Sequence, residues 1–226
     1  NGRQALWLLD PFDYTLDDQA PGFETSTIAA VLSEGTNVTI STASSTNAVG
    51  ASATINADDN DATGGTLTVA ADISVSESEG SGNLSLIADK DIIIDAIVQN
   101  ITGGGDLTLS SKTGVVINSG GSIEWDPGSA GEISISSSDS GGLSGSGLIT
   151  IPAGTLIVDQ SGETSFSGTN SGAGSFIKNG SGTLSLPNTF SGGTSVNAGT
   201  LRISGSSNST GNISIANIGN IVFDTG

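Results

Sequence analysis

Residues 58–61 read Asp-Asp-Asn-Asp, which puts three carboxylates and one amide oxygen in a single short stretch. Hard cations such as Ca²⁺ take oxygen donors of this kind. The stretch has neither the glycine at position 6 nor the glutamate at position 12 of an EF-hand loop. The glycine-rich nonapeptide of calcium-binding β-rolls is missing as well. Asp58, Asp59 and Asp61 are therefore the metal-ligand candidates, for Ca²⁺, against the plainer reading of a solvated loop on an acidic chain. Ca²⁺ is the one cofactor these residues admit. Trp125, in Ser-Ile-Glu-Trp-Asp-Pro-Gly, is a large ring next to a turn sequence. It is the candidate for stacking on a sugar ring, against a structural role as a corner aromatic covering its neighbours.

Catalysis finds less to work with. The chain has no His, so the usual general base and the commonest transition-metal ligand are both missing. It has no Cys, which removes thiolate nucleophiles, thiolate metal sites and disulfides. A glycosidase needs a matched pair of carboxylates. With 23 acids in the chain, nothing singles a pair out. The five basic residues, Arg3, Lys90, Lys112, Lys178 and Arg202, are scattered. No catalytic residue is assigned, and a polysaccharide-cleaving enzyme stands third among the functional readings. A net charge of −18 repels phosphate backbones and anionic lipid, so nucleic acid is excluded as a partner. No apolar run approaches the ~18 residues of a membrane-spanning helix.

The elements that would position these residues are short. Pulses such as Leu67-Thr68-Val69, Leu84-Ser85-Leu86, Leu107-Thr108-Leu109, Ile133-Ser134-Ile135, Leu184-Ser185-Leu186 and Ile213-Ser214-Ile215 alternate apolar and polar residues. That is the strand period. Gly, Asn, Asp and Ser separate the pulses, as turns require. No apolar stripe at helical spacing persists, so no helix is expected. Asp89, Asp91 and Asp95 alternate with Ile92 and Ile94 and are expected to face outward.

Pulses this short cannot bury their apolar faces alone, but stacked in register they form a narrow core. The expected fold is all-β: a single-stranded, right-handed parallel β-helix with Gly/Asn/Ser-rich turns. A β-sandwich of short strands is the rival. The helix is expected to have roughly eight to ten coils at about 4.8 Å each. Its expected core comprises Val38, Ile40, Leu67, Val69, Leu84, Leu86, Leu107, Leu109, Ile133, Ile135, Leu156, Val158, Leu184, Leu186, Leu201, Ile203, Ile213 and Ile215. Corner asparagines are expected to stack in ladders. The chain starts at Asn1 with no signal peptide and ends at Gly226 in mid-pattern, and it reads as a piece of something longer or a processed product.

Two segments resemble known families. Trp7-Leu8-Leu9-Asp10-Pro11-Phe12-Asp13 resembles the W-L-[LI]-D-P-x-D signature of filamentous-haemagglutinin-type exoproteins of two-partner secretion, and the likeness extends over residues 1–118. Residues 172–203 resemble the passenger-associated repeat of autotransporters through Gly174, Lys178, Gly180, Gly182, Thr183, Leu184, Leu186, Phe190, Gly192, Gly193, Thr194, Val196, Gly199, Thr200 and Leu201. Phe176 stands where that repeat often has Leu, and Asn188 falls one place early. Residues 119–171 match neither family closely, and 204–226 read as further coils.

Both resemblances imply a β-helix exported through an outer-membrane translocation pore to the surface of a Gram-negative bacterium. The implied function is a non-enzymatic stalk or adhesive segment that meets glycans or proteins of a host or neighbouring cell. The alternative is a structural subunit that associates end to end into a fibre or surface layer. In its family the repeat at 172–203 is tied to efficient export and folding, which makes it the expected folding seed. The Asn-x-Ser/Thr triplets at Asn37, Asn83, Asn100, Asn179, Asn208 and Asn212 are at the level expected by chance in so Asn- and Ser-rich a chain.

Overall fold

The computed structural model describes residues 4–8, 13–19, 24–42, 65–75, 81–101, 103–187, 190–204 and 211–224. The chain winds as a parallel β-solenoid of about 6 turns. The first turn holds β1 (Gln4–Leu8), β2 (Tyr14–Leu16) and α1 (Thr25–Ser33). The second holds β3 (Asn37–Ser41), β4 (Leu67–Val69) and β5 (Ile73–Val75), and the third β6 (Leu84–Ala88), β7 (Asp91–Ile94) and β8 (Ile97–Asn100). Next come β9 (Leu107–Ser111), β10 (Gly114–Ile117) and β11 (Ser122–Trp125), followed by β12 (Glu132–Ser137), β13 (Leu143–Gly145) and β14 (Leu148–Thr150). The last three-sided turn holds β15 (Thr155–Asp159), β16 (Glu163–Ser165) and β17 (Thr169–Ser171). It is followed by β18 (Ser175–Asn179), β19 (Thr183–Leu186), β20 (Thr194–Ser204) and β21 (Ile213–Asp224).

Every pairing between strands is parallel, and three faces result. The first runs β1-β3-β6-β9-β12-β15-β18-β20, the second β2-β4-β7-β10-β13, and the third β5-β8-β11-β14-β17. Strands such as β6, β7, β9 and β12 alternate buried and more exposed residues, so one side of each fills a common interior. Sixteen of the eighteen expected core residues are at most 2% exposed. On the first face Leu84, Leu107, Ile133, Leu156, Phe176, Thr194 and Ile213 stack in succession, at steps of 23, 26, 23, 20, 18 and 19 residues. The coil contracts after β17 because the third face ends there. β20 then turns the corner between the first and second faces as one strand, with a register shift between Val196 and Ala198.

Three expectations are corrected. The solenoid has about 6 turns where eight to ten coils were expected. Pulses alike in sequence fall on different faces: Leu67 pairs with Ile92 on the second face while Leu84 lies on the first, so the 17 residues between those leucines are not a coil length. Ile213 and Ile215 are not core: they are 45% and 52% exposed, because no strand among the described residues lies over β21. Thirdly, a helix is present. In α1, Thr25, Ile28, Ala29 and Leu32 occupy i, i+3, i+4 and i+7 and are all buried. Nine residues hold only one repeat of that stripe, too little to stand out in the sequence. The helix stops at Gly35, whose φ of 73° lets its N–H reach the Leu32 carbonyl at 2.9 Å. It packs on β5, the outer strand of the third face, and so covers a sheet edge that would otherwise be open.

The corner ladder forms where strands enter the first face. Asn37 Oδ1 accepts the N–H of Asn83, Asn83 Oδ1 that of Asp106, and Asp106 Oδ1 that of Glu132, each at 2.9 Å. One side chain per coil thus satisfies the next coil's backbone where the strand ladder has not yet begun. Asn83→Ala removes one rung. An exposed hydrogen bond of this type contributes about 0.5–1.5 kcal/mol, so a thermal melt should fall by roughly 1–6 °C for a chain of this size. An unchanged melting temperature would show that the ladder accompanies the stacking without supporting it.

Candidate functional site

The acidic stretch holding Asp58, Asp59 and Asp61 lies outside the described residues. Trp125 is corrected from its expected role. It ends β11 fully buried, and its indole Nε1 donates to the Gly105 carbonyl of the preceding coil at 2.8 Å. No ring face is open to a sugar. Instead the ring seals the corner where residues 103–106 pass beneath 126–128, helped by the Gly104 N–H donating to the Asp126 carbonyl at 3.0 Å. Trp7 lies on β1 opposite Ile40. Of the Asn-x-Ser/Thr positions, Asn100 is buried and its amide donates to Ser81 Oγ and to the Gly104 carbonyl. Asn208 lies outside the described residues.

The acids of the second face do point outward, and each joins one coil to the next. Thr113 Oγ1 donates to Asp91 at 2.6 Å, and Asn118 Nδ2 donates to Asp95 at 2.6 Å. Lys112 pairs with Asp89 at 2.9 Å. Near the first turn, the Asp13 carboxylate accepts the Thr66 N–H, which holds its pKa below the ordinary value. Among the described residues, no three carboxylates stand close enough to hold a metal ion.

A lateral groove of about 540 Å³ runs along the corner after the first face. Ser110 lines it in one coil and Ser136 and Ser138 in the next, with the Asp89–Lys112 pair at one end and Asp159 towards the other. Its walls offer hydroxyls and one ion pair, with no activated nucleophile.

The same corner is unusual on its inner side. Polar side chains there cap carbonyls that the turning backbone directs inward. Thr42 Oγ1 donates to the Gly65 carbonyl and Ser137 Oγ to the Gly141 carbonyl. In the next coil the position is held by Gln160, fully buried, which ties three coils together. Its Oε1 accepts the Leu143 N–H at 3.1 Å, while its Nε2 donates to the Gly162 carbonyl, Thr164 Oγ1 and the Thr183 carbonyl. One coil further the aligned residue is Gly180, and the space is filled by Lys178, two residues earlier. Lys178 is fully buried between Val158 and Val196, and its Nζ donates to the Asn179 and Gly180 carbonyls. Burial pushes its pKa down to about 8, against a smaller opposing pull from Asp159. Sequence reasoning missed this arrangement, counting Lys178 only among five scattered bases. The signal was its phase: Lys178 stands two residues after inward-facing Phe176 in an alternating strand.

By class, the described residues form a stacked parallel β-solenoid. Comparison with known proteins places it more narrowly. Residues 176–203, β18 through most of β20, match the passenger-associated-transport-repeat family. Over 133 residues, 55% of this chain, the sequence is 32% identical to the "Adhesin BmaC autotransporter" of Brucella suis biovar 1 (strain 1330). That stretch is 4% of the relative, so the chain spans a small part of its length. No solved structure matches. Both findings support an autotransporter passenger. The haemagglutinin-type likeness of residues 1–118 has no counterpart among them.

Proposed function

We propose that this chain is a stalk segment of a surface-displayed, adhesin-like autotransporter passenger, without enzymatic activity of its own. The observation that carries the reading is the transport repeat built into a continuous solenoid: the matched segment continues the first face that begins at β1. A stack of this kind gains length and lateral surface by repeating one simple unit. The adhesin relative supports the adhesive role, and the repeat supports passage through an outer-membrane pore to the cell surface. The contacts made there are with glycans or proteins of another cell.

Residues 172–203 act as the folding seed on which further coils dock. Deleting them from the full-length secreted parent is expected to lower surface display and to slow refolding of the purified passenger. If both stay at wild-type values, the segment is ordinary shaft. A second reading is end-to-end association into fibres. Electron microscopy separates the two: dispersed rods fit the stalk, and regular filaments fit the fibre subunit.

A further inference from the structure

We propose that Lys178 is a register-determining residue, fixing how the coil of the transport repeat stacks on the coil before it. The need for such a residue follows from the strand period. A slip of two residues between β15 and β18 keeps every inward side chain inward, so apolar alternation alone does not forbid it. The neighbours on either side add little discrimination, since Leu156, Val158 and Val196 are simple aliphatics and Thr194 is small.

Lys178 breaks that degeneracy because its charge is satisfied only at a corner. The Asn179 and Gly180 carbonyls it binds turn inward because the chain bends there. Gly180 has a φ of +71° and sits over Gln160, where an added Cβ would stand 2.3 Å from the Gln160 carbonyl oxygen and 2.6 Å from Asp159 Oδ1. That contact leaves the corner open for the lysine head. Slip the strand one way and Asn179 and Gly180 lie against the straight part of β15, whose parallel ladder takes up their backbone groups. Slip it the other way and the ammonium meets the Gln160 amide, whose Nε2 is itself a donor and whose Oε1 already accepts the Leu143 N–H. Either slip leaves a buried charge short of acceptors, which is strongly unfavourable. Neither of the two ion pairs among the described residues involves Lys178, so no carboxylate contacts its ammonium directly. A single buried polar residue sets register in coiled coils in the same way, at a cost in stability.

The chain has no cysteine of its own, so crosslinking can read the register directly. Ile157 and Ile177 are half-exposed and directly opposite each other. Cysteines there would be about 4.8 Å apart across the ladder, inside the range a disulfide spans. Pairing Ile157 with Ser175 or with Asn179 instead reports a two-residue slip, because in the native register those pairs lie roughly 7–8 Å apart. Full-length chains carrying I157C with I177C, S175C or N179C are refolded under mild oxidation. With Lys178 in place, the 157–177 bond should dominate. With K178M added, the slipped bonds should rise about tenfold, which corresponds to losing about 1.4 kcal/mol of discrimination. K178A, which cannot overfill the corner, should show the same rise. Slipped crosslinks no more frequent in either variant than with lysine would overturn the proposal.

Discussion

Trp125→Ala is expected to destabilise the solenoid by about 3–5 kcal/mol, the range for deleting a fully buried indole. The loss has two sources. The ring is the largest fully buried side chain among the described residues, and its removal leaves a cavity at the corner between β11 and the next turn. Its Nε1 is also the donor for the Gly105 carbonyl, which loses that bond. Trp125→Phe separates the two. It keeps most of the packing and gives up the hydrogen bond, so a loss of about 1–3 kcal/mol is expected. Chemical denaturation of both variants measures these values directly. A ring placed for sugar stacking would behave in the opposite way, with stability unchanged on truncation and a specific loss of glycan binding. That result would reverse the assignment of Trp125 to the core.

What the sequence made legible was the local phase, and what it hid was which strand lies above which. Val38, Leu84, Leu107, Ile133 and Leu156 were recognisable as inward-facing because each sits in an alternating pulse, and all stack on one face. The pulse around Leu67 has the same local pattern and belongs to another face. Its partner is chosen by the corner geometry between pulses, which apolar alternation does not encode. Ile213 and Ile215 show the same limit, since their phase is that of a core residue while their burial depends on a neighbouring strand. The Asn37-Asn83-Asp106 ladder was legible as a tendency of corner asparagines, though not its register. Of the candidate site, the outward acids Asp91 and Asp95 could be read from alternation. The polar inner corner could not, because Gln160 and Lys178 are residue types that composition assigns to the surface. Only when they are placed in phase with Val158 and Phe176 does their burial emerge, and with it the reason a glycine follows the lysine at one residue's remove.

The buried lysine gives the second large effect, with a sign that depends on pH. Lys178 has its pKa lowered from 10.5 to about 8, so the folded chain binds this proton less tightly than the unfolded chain does. Below about pH 8 both states hold the proton, and the penalty for burying the charge is present in full. As the pH rises from about 8 towards 10.5, the folded state releases its proton first, and the penalty is progressively lost. Lys178 therefore makes the fold more stable with rising pH across that window. Tyr14 works against it above pH 10, because burial and the nearby Asp17 raise its pKa, and a raised phenol disfavours the fold once the unfolded tyrosine ionises. The comparison is accordingly wild type against Lys178→Met at each pH, which cancels Tyr14. At pH 7 the methionine variant should be the more stable by about 1–4 kcal/mol, the gain seen when buried charges give way to apolar side chains of similar volume. By pH 10 most of that difference should be gone. Equilibrium unfolding of both chains in urea at pH 7, 8, 9 and 10 measures it. A constant difference across the series would mean that the lysine proton is not linked to folding. A difference that widens with pH would place the ammonium in a site that stabilises its charge, opposite to the burial seen between Val158 and Val196.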